Sequence, residues 1–304
     1  MLDVLSVFRR KKVVFDMPER LIDPKYIKDE DLRKSYIRDG YVIVKNIVSN
    51  EDIDRILETY EKIKSMSGYY EVDRLISTSE FNSDIQQMAL NVINLVSDNV
   101  FKDVLDSSSC DYKLGGAIFI KNKGCAFQPH QDPPLVDEFK ATASIAWIPT
   151  EDMTENNGAL TVLPHSHLWA AWQRPCRFDF SPINKHLSII SKHMIPLEIN
   201  KGDLIIFDSA LIHGSMPNNR DVKRISINTR ITPHNEEYYQ YYKDKNMSKD
   251  VVQKYKVDRE YWIKGDILSK PKGYPLVSVE KLLYPVSFTE EMLLEQLHKY
   301  SNIQ

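Results

Sequence analysis

Hydrophobic positions along this chain change period twice. From Asp29 to about Arg38 the pattern is polar and helical, and Gly40-Tyr41-Val42-Ile43-Val44 then reads as a short strand of β-formers. Ser49-Asn50-Glu51-Asp52 has the form of a capping box, a hydroxyl followed three residues later by an acid. The helix it starts places Ile53, Ile56, Leu57 and Tyr60 on one face. A second helix is predicted from about Ser83 to Val96.

From about Tyr112 the texture becomes β-like. Runs at 114–120, 142–148, 159–163, 194–199, 204–207 and 224–231 are separated by turn residues, among them Asn156-Asn157-Gly158 and Lys201-Gly202-Asp203. Short strands joined by loops predict a sandwich or jelly roll. From about His234 to Gln304 the chain is rich in tyrosine and charge, and this part reads as a helical or loop extension, a lid or a dimer surface. The division expected is one domain over 1–304: a helical lead-in over 1–110, a jelly-roll core over 111–233 and an extension over 234–304. The first 25 residues read as an irregular lead-in.

Composition narrows the classes without choosing among them. Of 304 residues, 42% are hydrophobic and 27% charged, ordinary values for a globular chain that can bury a sizeable core. The 40 basic residues against 43 acidic ones leave no basic field for a phosphate backbone, which argues against nucleic acid as a partner. Cys110, Cys125 and Cys176 are an odd number without CxxC spacing and read as reduced thiols of a cytoplasmic protein. The short run Leu2 to Phe8, which contains the acid Asp3, precedes Arg9-Arg10-Lys11-Lys12, the reverse of a signal peptide. No stretch approaches the ~20 apolar residues of a membrane span, so no membrane partner is expected.

The chemistry is concentrated in Pro129-His130-Gln131-Asp132, Ile212-His213-Gly214 and Arg224. In extended chain, residues i and i+2 project to one side, so His130 and Asp132 can face one metal. His213 follows the strand-like run Asp203 to Phe207, which would return to the same barrel mouth. Two imidazoles and one carboxylate leave coordination positions open, as suits non-heme Fe(II) oxygenases. Arg224 offers a planar fork for the far carboxylate of a keto acid, and Ser215 a further hydrogen bond. Other readings stand at this point. A lone HxD is a weak signal, Arg224 fits equally as a surface partner of Asp221, and the same three ligands also serve catalytic zinc in hydrolases.

In the order HxD, strand, His-Gly and Arg, the chain resembles the phytanoyl-CoA dioxygenase family of 2-oxoglutarate oxygenases. The resemblance covers about residues 35 to 232. It is carried by Asp39 to Asn46, Pro129 to Asp132, Asn157 to His167, Lys201 to Phe207, and His213 to Arg224. It implies a mainly β fold with flanking helices, a double-stranded β-helix of the jelly-roll, cupin-like kind. It also implies Fe(II) held by His130, Asp132 and His213, and 2-oxoglutarate held by Arg224 and Ser215. Trp147 stands where the family places an aromatic beside this cosubstrate, though core packing accounts for it equally, and Lys121 and Phe127 are further cosubstrate candidates. With O2 as second cosubstrate, the implied reaction hydroxylates an unactivated C–H bond of a small molecule and releases succinate and CO2. Desaturation, cyclisation or epimerisation are alternative outcomes, and a non-catalytic jelly-roll binding protein is the alternative from another class. A homodimer fits the tyrosine-rich extension.

The chain departs from the family at His165, where glycine is usual. Since Asp132 is present, no coordination site is freed for a halide. Pocket walls are expected from the helical lead-in, from Pro133 to Lys140 and from Trp169 to His193. The last segment holds Trp169, Trp172, Arg174, Arg177 and Phe178, and suits either an anionic substrate with an apolar body or an ordinary solvated loop.

Overall fold

The computed structural model describes residues 20–72, 75–77, 81–177, 180–282 and 289–300. Most of the first 25 residues, with their basic run, and Phe178 lie outside these residues.

Helix α1 (Glu30–Asp39) begins where the Asp29 carboxylate accepts from the backbone N–H groups of Asp31 and Leu32. It ends at Gly40, which takes φ 84° and donates to the Tyr36 carbonyl at 2.8 Å. A side chain at Gly40 would also meet His167 Nδ1 at 2.5 Å, so the glycine is required twice over. Strand β1 (Tyr41–Val44) follows directly. Helix α2 (Asn50–Lys64) is capped by Ser49, whose Oγ accepts from the Asp52 N–H at 3.0 Å as the capping box predicts. The Ser49 hydroxyl in turn donates to the Asp52 carboxylate. After β2 (Leu75–Ser77), α3 (Ser83–Val104) runs beyond the predicted end at Val96, because Val96, Val100, Phe101 and Val104 continue its buried face.

The β-rich part contains β3 (Cys110–Asp111), β4 (Gly116–Lys121), β5 (Phe127–His130), β6 (Ser144–Pro149) and β7 (Leu160–Val162). Next come α4 (Leu187–His193), β8 (Ile195–Pro196), β9 (Leu204–Asp208), β10 (His213–Ser215) and β11 (Arg224–Pro233). One antiparallel sheet has the order β1-β9-β6-β11-β4-β2, with β3 also paired to β11, and a smaller one has the order β5-β10-β7-β8. Trp147, Ile205 and Phe207 of the large sheet pack against Leu160 and Val162 of the small one. The other face of the large sheet, with Ile118, Ile120, Ile206 and Ile227, is covered by Ile53, Ile56, Ile93 and Phe101 of α2 and α3. This is the expected jelly roll with helices packed outside. The run at 194–199 forms a regular strand only at β8, where Pro196 has no N–H to give the ladder; beyond it Leu197 donates to the Leu160 carbonyl and Ile199 accepts from Met153.

The C-terminal segment differs from its expectation. β12 (Tyr238–Tyr242), β13 (Val251–Val257) and β14 (Leu276–Lys281) form a separate antiparallel sheet, with α5 (Arg259–Lys264) after β13 and α6 (Glu290–Tyr300) after β14. The tyrosine run is thus a strand, in keeping with the β-preference of aromatic residues.

Candidate active site

The candidate site lies on β5 and β10, neighbouring strands of the small sheet. β5 and β10 pair antiparallel with His213 directly opposite His130, and the two rings stand 4.3 Å apart. The strands approach so closely that a side chain at Gly214 would lie 2.8 Å from the Phe127 carbonyl oxygen, which explains the glycine after the histidine. Asp132 lies just past β5, with Oδ2 3.6 Å from His213 Nε2. One donor atom from each of His130, Asp132 and His213 falls within 4.8 Å of the others.

Each imidazole is oriented by the backbone two residues before it. His130 Nδ1 lies 2.8 Å from the Gln128 carbonyl oxygen and His213 Nδ1 3.0 Å from that of Leu211. A carbonyl only accepts, so Nδ1 carries the proton in both rings and Nε2 keeps its lone pair. Burial, reinforced by neighbouring His213, pushes the His130 pKa down to about 4, so its ring is neutral at physiological pH.

Between the two HxD residues, Gln131 points the other way and donates to the Ala170 and Ala210 carbonyls at 2.8 and 2.5 Å. The Asp132 carbonyl accepts from Arg174 Nε at 2.9 Å. Arg174 is held bidentately by Glu138 at 2.6 Å on both arms, and the Ser209 hydroxyl donates to the same carboxylate. Arg174 therefore faces away from the pocket and braces the loop that carries Asp132. Nothing in the spacing of Arg174 and Glu138 signals this pairing.

Arg224 opens β11 and is buried, which excludes a surface pair with Asp221; that acid instead pairs with Lys123. Its guanidinium lies over the Trp147 ring at 5.4 Å, and Nη1 is 3.5 Å from Ser226 Oγ. Nε has no partner, and no carboxylate lies within ion-pair distance among the described residues. Burial lowers its pKa to about 10, leaving it charged at neutral pH. Trp147 packs in the core between the sheets and also lines the cavity. Lys121 does not reach the cavity. It is buried and donates to Ser215 Oγ and, at 2.6 Å, to the Met216 carbonyl. With its oxygen accepting from Lys121, the Ser215 hydroxyl is left to donate its own proton. Phe127 lines the cavity beside His130, with ring centroids 6.0 Å apart.

These groups surround a cavity of about 320 Å³, a size that suits a small organic ligand. Phe207, whose ring is 4.7 Å from that of His213, forms part of its floor. The walls differ from those expected. Among the described residues nothing before Gly116 lines the cavity, Pro133 alone comes from 133–140, and Cys176 alone from 169–193. Trp169 and Trp172 are instead buried in a core cluster with Ile183, Ile190 and Leu293. Asn228 and Arg230 of β11, Trp262 of α5, and Ile267 and Leu268 after it complete the lining.

His165 and His167 are structural. His165 takes φ 63°, the left-handed region that explains a glycine in relatives, and its Nδ1 lies 2.7 Å from the Arg38 carbonyl. His167 is fully buried, with Nε2 3.1 Å from the Ile37 carbonyl. Both fasten the loop after β7 to α1.

Fold and site together define a jelly-roll protein with a two-histidine, one-carboxylate cluster inside its barrel. The family model for phytanoyl-CoA dioxygenase (PhyH) matches residues 36–226, and the chain belongs to this family. It is 30% identical over 105 residues to phytanoyl-CoA dioxygenase 1 of Oryza sativa subsp. japonica, covering 34% of this chain and 37% of that protein. To the peroxisomal phytanoyl-CoA dioxygenase of Homo sapiens it is 27% identical over 218 residues, covering 61% of this chain and 63% of that one. The chain thus spans less than two thirds of either relative. The crystal structure of the epimerase SnoN in complex with Fe3+, alpha ketoglutarate and nogalamycin RO superposes with a TM-score of 0.50 at 18% identity, over 69% of this chain and 85% of that one, and shares the fold.

Proposed function

We propose that this protein is an Fe(II)/2-oxoglutarate-dependent dioxygenase that hydroxylates an unactivated C–H bond of a small molecule, releasing succinate and CO2. The observation that carries this reading is Arg224, a buried cation without a carboxylate partner in the same cavity as His130, Asp132 and His213. An unpaired buried charge costs several kcal/mol, which a structural role does not repay. A keto acid bound at the cluster would supply the missing carboxylate. A zinc hydrolase or a passive binding module has no use for such a group.

In this reading His130 and His213 bind Fe(II) through Nε2, and Asp132 through a carboxylate oxygen. Two neutral imidazoles and one carboxylate leave a divalent cation one positive charge, which favours a dianionic chelator. Arg224 binds the distal carboxylate of 2-oxoglutarate while Ser215 donates to it, and Lys121 fixes the Ser215 rotamer from behind. Trp147 holds the guanidinium in plane and keeps water from it. When bound, iron and 2-oxoglutarate supply the O2 activation and the oxidising power. The protein's part is to hold one substrate C–H bond at the open side of the cluster and exclude solvent. The relatives named as phytanoyl-CoA dioxygenases and the SnoN complex with Fe3+ and alpha ketoglutarate support the cofactor pair. No helix among the described residues is long and apolar enough to cross a membrane. The proposed cytoplasmic location rests on the thiols of Cys110, Cys125 and Cys176.

The decisive experiment is an anaerobic titration of the purified protein with Fe(II) and 2-oxoglutarate, recording the visible spectrum. A weak charge-transfer band that needs both components is expected. Absence of the band from folded protein with metal bound would overturn the reading. Product analysis then separates hydroxylation from desaturation, cyclisation or epimerisation.

A further inference from the structure

A second guanidinium enters the same cavity from the same strand. Residues Arg224, Ser226, Asn228 and Arg230 alternate along β11 and project to one face, towards the barrel interior, while Ile225 and Ile227 pack under the helices. Arg230 lies six residues past Arg224, roughly 20 Å along an extended strand. The two cations therefore stand at opposite ends of the cavity, with the metal cluster facing the space between them.

Arg230 is only partly satisfied. Nη1 donates to the Leu114 and Trp262 carbonyls, each at 3.1 Å, and the guanidinium lies over the Trp262 ring at 5.7 Å. Nε and Nη2 make no hydrogen bond among the described residues, and no carboxylate pairs with the group. The nearest acid acting on it is Asp132, whose charge a bound metal would take up. Around Arg230 the lining is apolar: Trp262, Ile267, Leu268 and Cys176. An oriented cation set in an apolar wall suits a ligand with one anionic group and a hydrophobic body.

We propose that Arg230 is a specificity-determining residue that anchors an anionic oxygen group of the substrate, a carboxylate or phosphate, with the substrate's apolar body lying against Trp262, Ile267 and Leu268. This deepens the oxygenase reading and rests on it for the word substrate, but Arg230 as an anion anchor can be tested separately. Arg224 binds the cosubstrate at one end and Arg230 the substrate at the other, so that the substrate body passes the cluster. A lone structural role, tying α5 to the barrel through the Trp262 carbonyl, would need only Nη1.

The test uses two fluorescent probes with one aromatic body, anilinonaphthalene sulfonate and the uncharged N-phenylnaphthylamine. Both are titrated into the full chain loaded with Ni(II) and 2-oxoglutarate, so that the Arg224 end is occupied. Arg230→Gln should weaken the sulfonate by about tenfold, the worth of a charge-assisted hydrogen bond. It should leave the neutral probe unchanged, and Arg230→Lys should restore most of the loss. Equal sulfonate affinity in Arg230→Gln, or equal weakening of both probes, overturns the proposal; the second result would mark Arg230 as a structural tie. Displacement of the sulfonate by phenylbutyrate or by a phenylalkyl phosphate tells which oxyanion is preferred, and equal displacement by phenylbutanol overturns the proposal. Failure of the wild type to retain nickel and 2-oxoglutarate would instead count against the oxygenase reading. In that event the same probe comparison on the unloaded chain still decides the role of Arg230.

Discussion

His213 stands opposite His130 in the β5–β10 register, and each ring is tied by Nδ1 to the carbonyl two residues before it. The pair is thus oriented by backbone alone and needs no metal to hold its shape. His130→Ala, Asp132→Ala and His213→Ala should each lose Fe(II) or Ni(II) on dialysis and abolish succinate formation. Melting temperatures of the metal-free variants, set against that of the metal-free parent, check that the fold survives each change. Metal retained by all three variants would remove the cluster from the chemistry.

Arg224 separates cosubstrate binding from metal binding. Arg224→Gln deletes the cation but leaves the cluster untouched, so the Kd for Ni(II) should not change. The KM for 2-oxoglutarate should rise by about 10- to 100-fold, the range of a lost hydrogen bond to a charged group. Ser215→Ala should raise it less. An unchanged KM in Arg224→Gln would place the keto acid elsewhere.

The sequence located the candidate ligand set, which the fold brings together, more fully than the pocket, for a physical reason. A ligand set is defined by residue type and short spacing, and His130, Asp132, His213 and Arg224 carry that information locally. The large sheet was equally legible, because several of its strands carry dense runs of β-formers, such as Tyr41 to Val44 and Leu204 to Phe207. β5 and β10 were not, since ligands, Pro129 and Gly214 replace β-formers there. Pocket walls depend on which distant segments meet across the barrel. Arg174 and Arg230 show the cost: the aromatic and basic residues of 169–178 suggested a pocket, yet Arg174 is committed to Glu138, while Arg230, with no local signal, faces the cavity.

The Arg174–Glu138 pair makes a stability prediction. Both side chains are nearly inaccessible, 5% and 2% exposed, and burial opposes the Glu138 charge while Arg174 holds its pKa below the usual value. Removing one partner strands the other, and such single losses cost about 3–5 kcal/mol. Arg174→Met and Glu138→Gln should each lower the melting temperature clearly. The double variant Arg174→Met with Glu138→Leu should recover much of the loss, because neither member of the pair is left buried without its partner, while the adjoining Arg20–Asp208 pair stays intact. Since Arg174 Nε also holds the Asp132 carbonyl, the double variant should recover stability but not metal affinity. Recovery of both would show that Arg174 has no part in placing Asp132.

His167 gives the protein a pH dependence distinct from that of the metal site. Burial, with the Arg20 cation adding to it, lowers its pKa from 6.5 to about 3. Between these values the unfolded chain binds a proton at this residue and the folded chain does not. Stability must therefore rise with pH across the window: it is fully present above about pH 6.5 and is lost progressively as pH falls towards 3. The loss is on the order of a few kcal/mol if the fold survives to that pH. Urea unfolding of metal-free protein at pH 5 and pH 7 should show the slope, and His167→Gln, which can still donate to the Ile37 carbonyl, should flatten it. His130 contributes a slope of the same sign in metal-free protein, so His130→Gln combined with His167→Gln should be flatter than either alone. A slope undiminished in His167→Gln would mean that the loop after β7 opens to admit the proton before the protein unfolds.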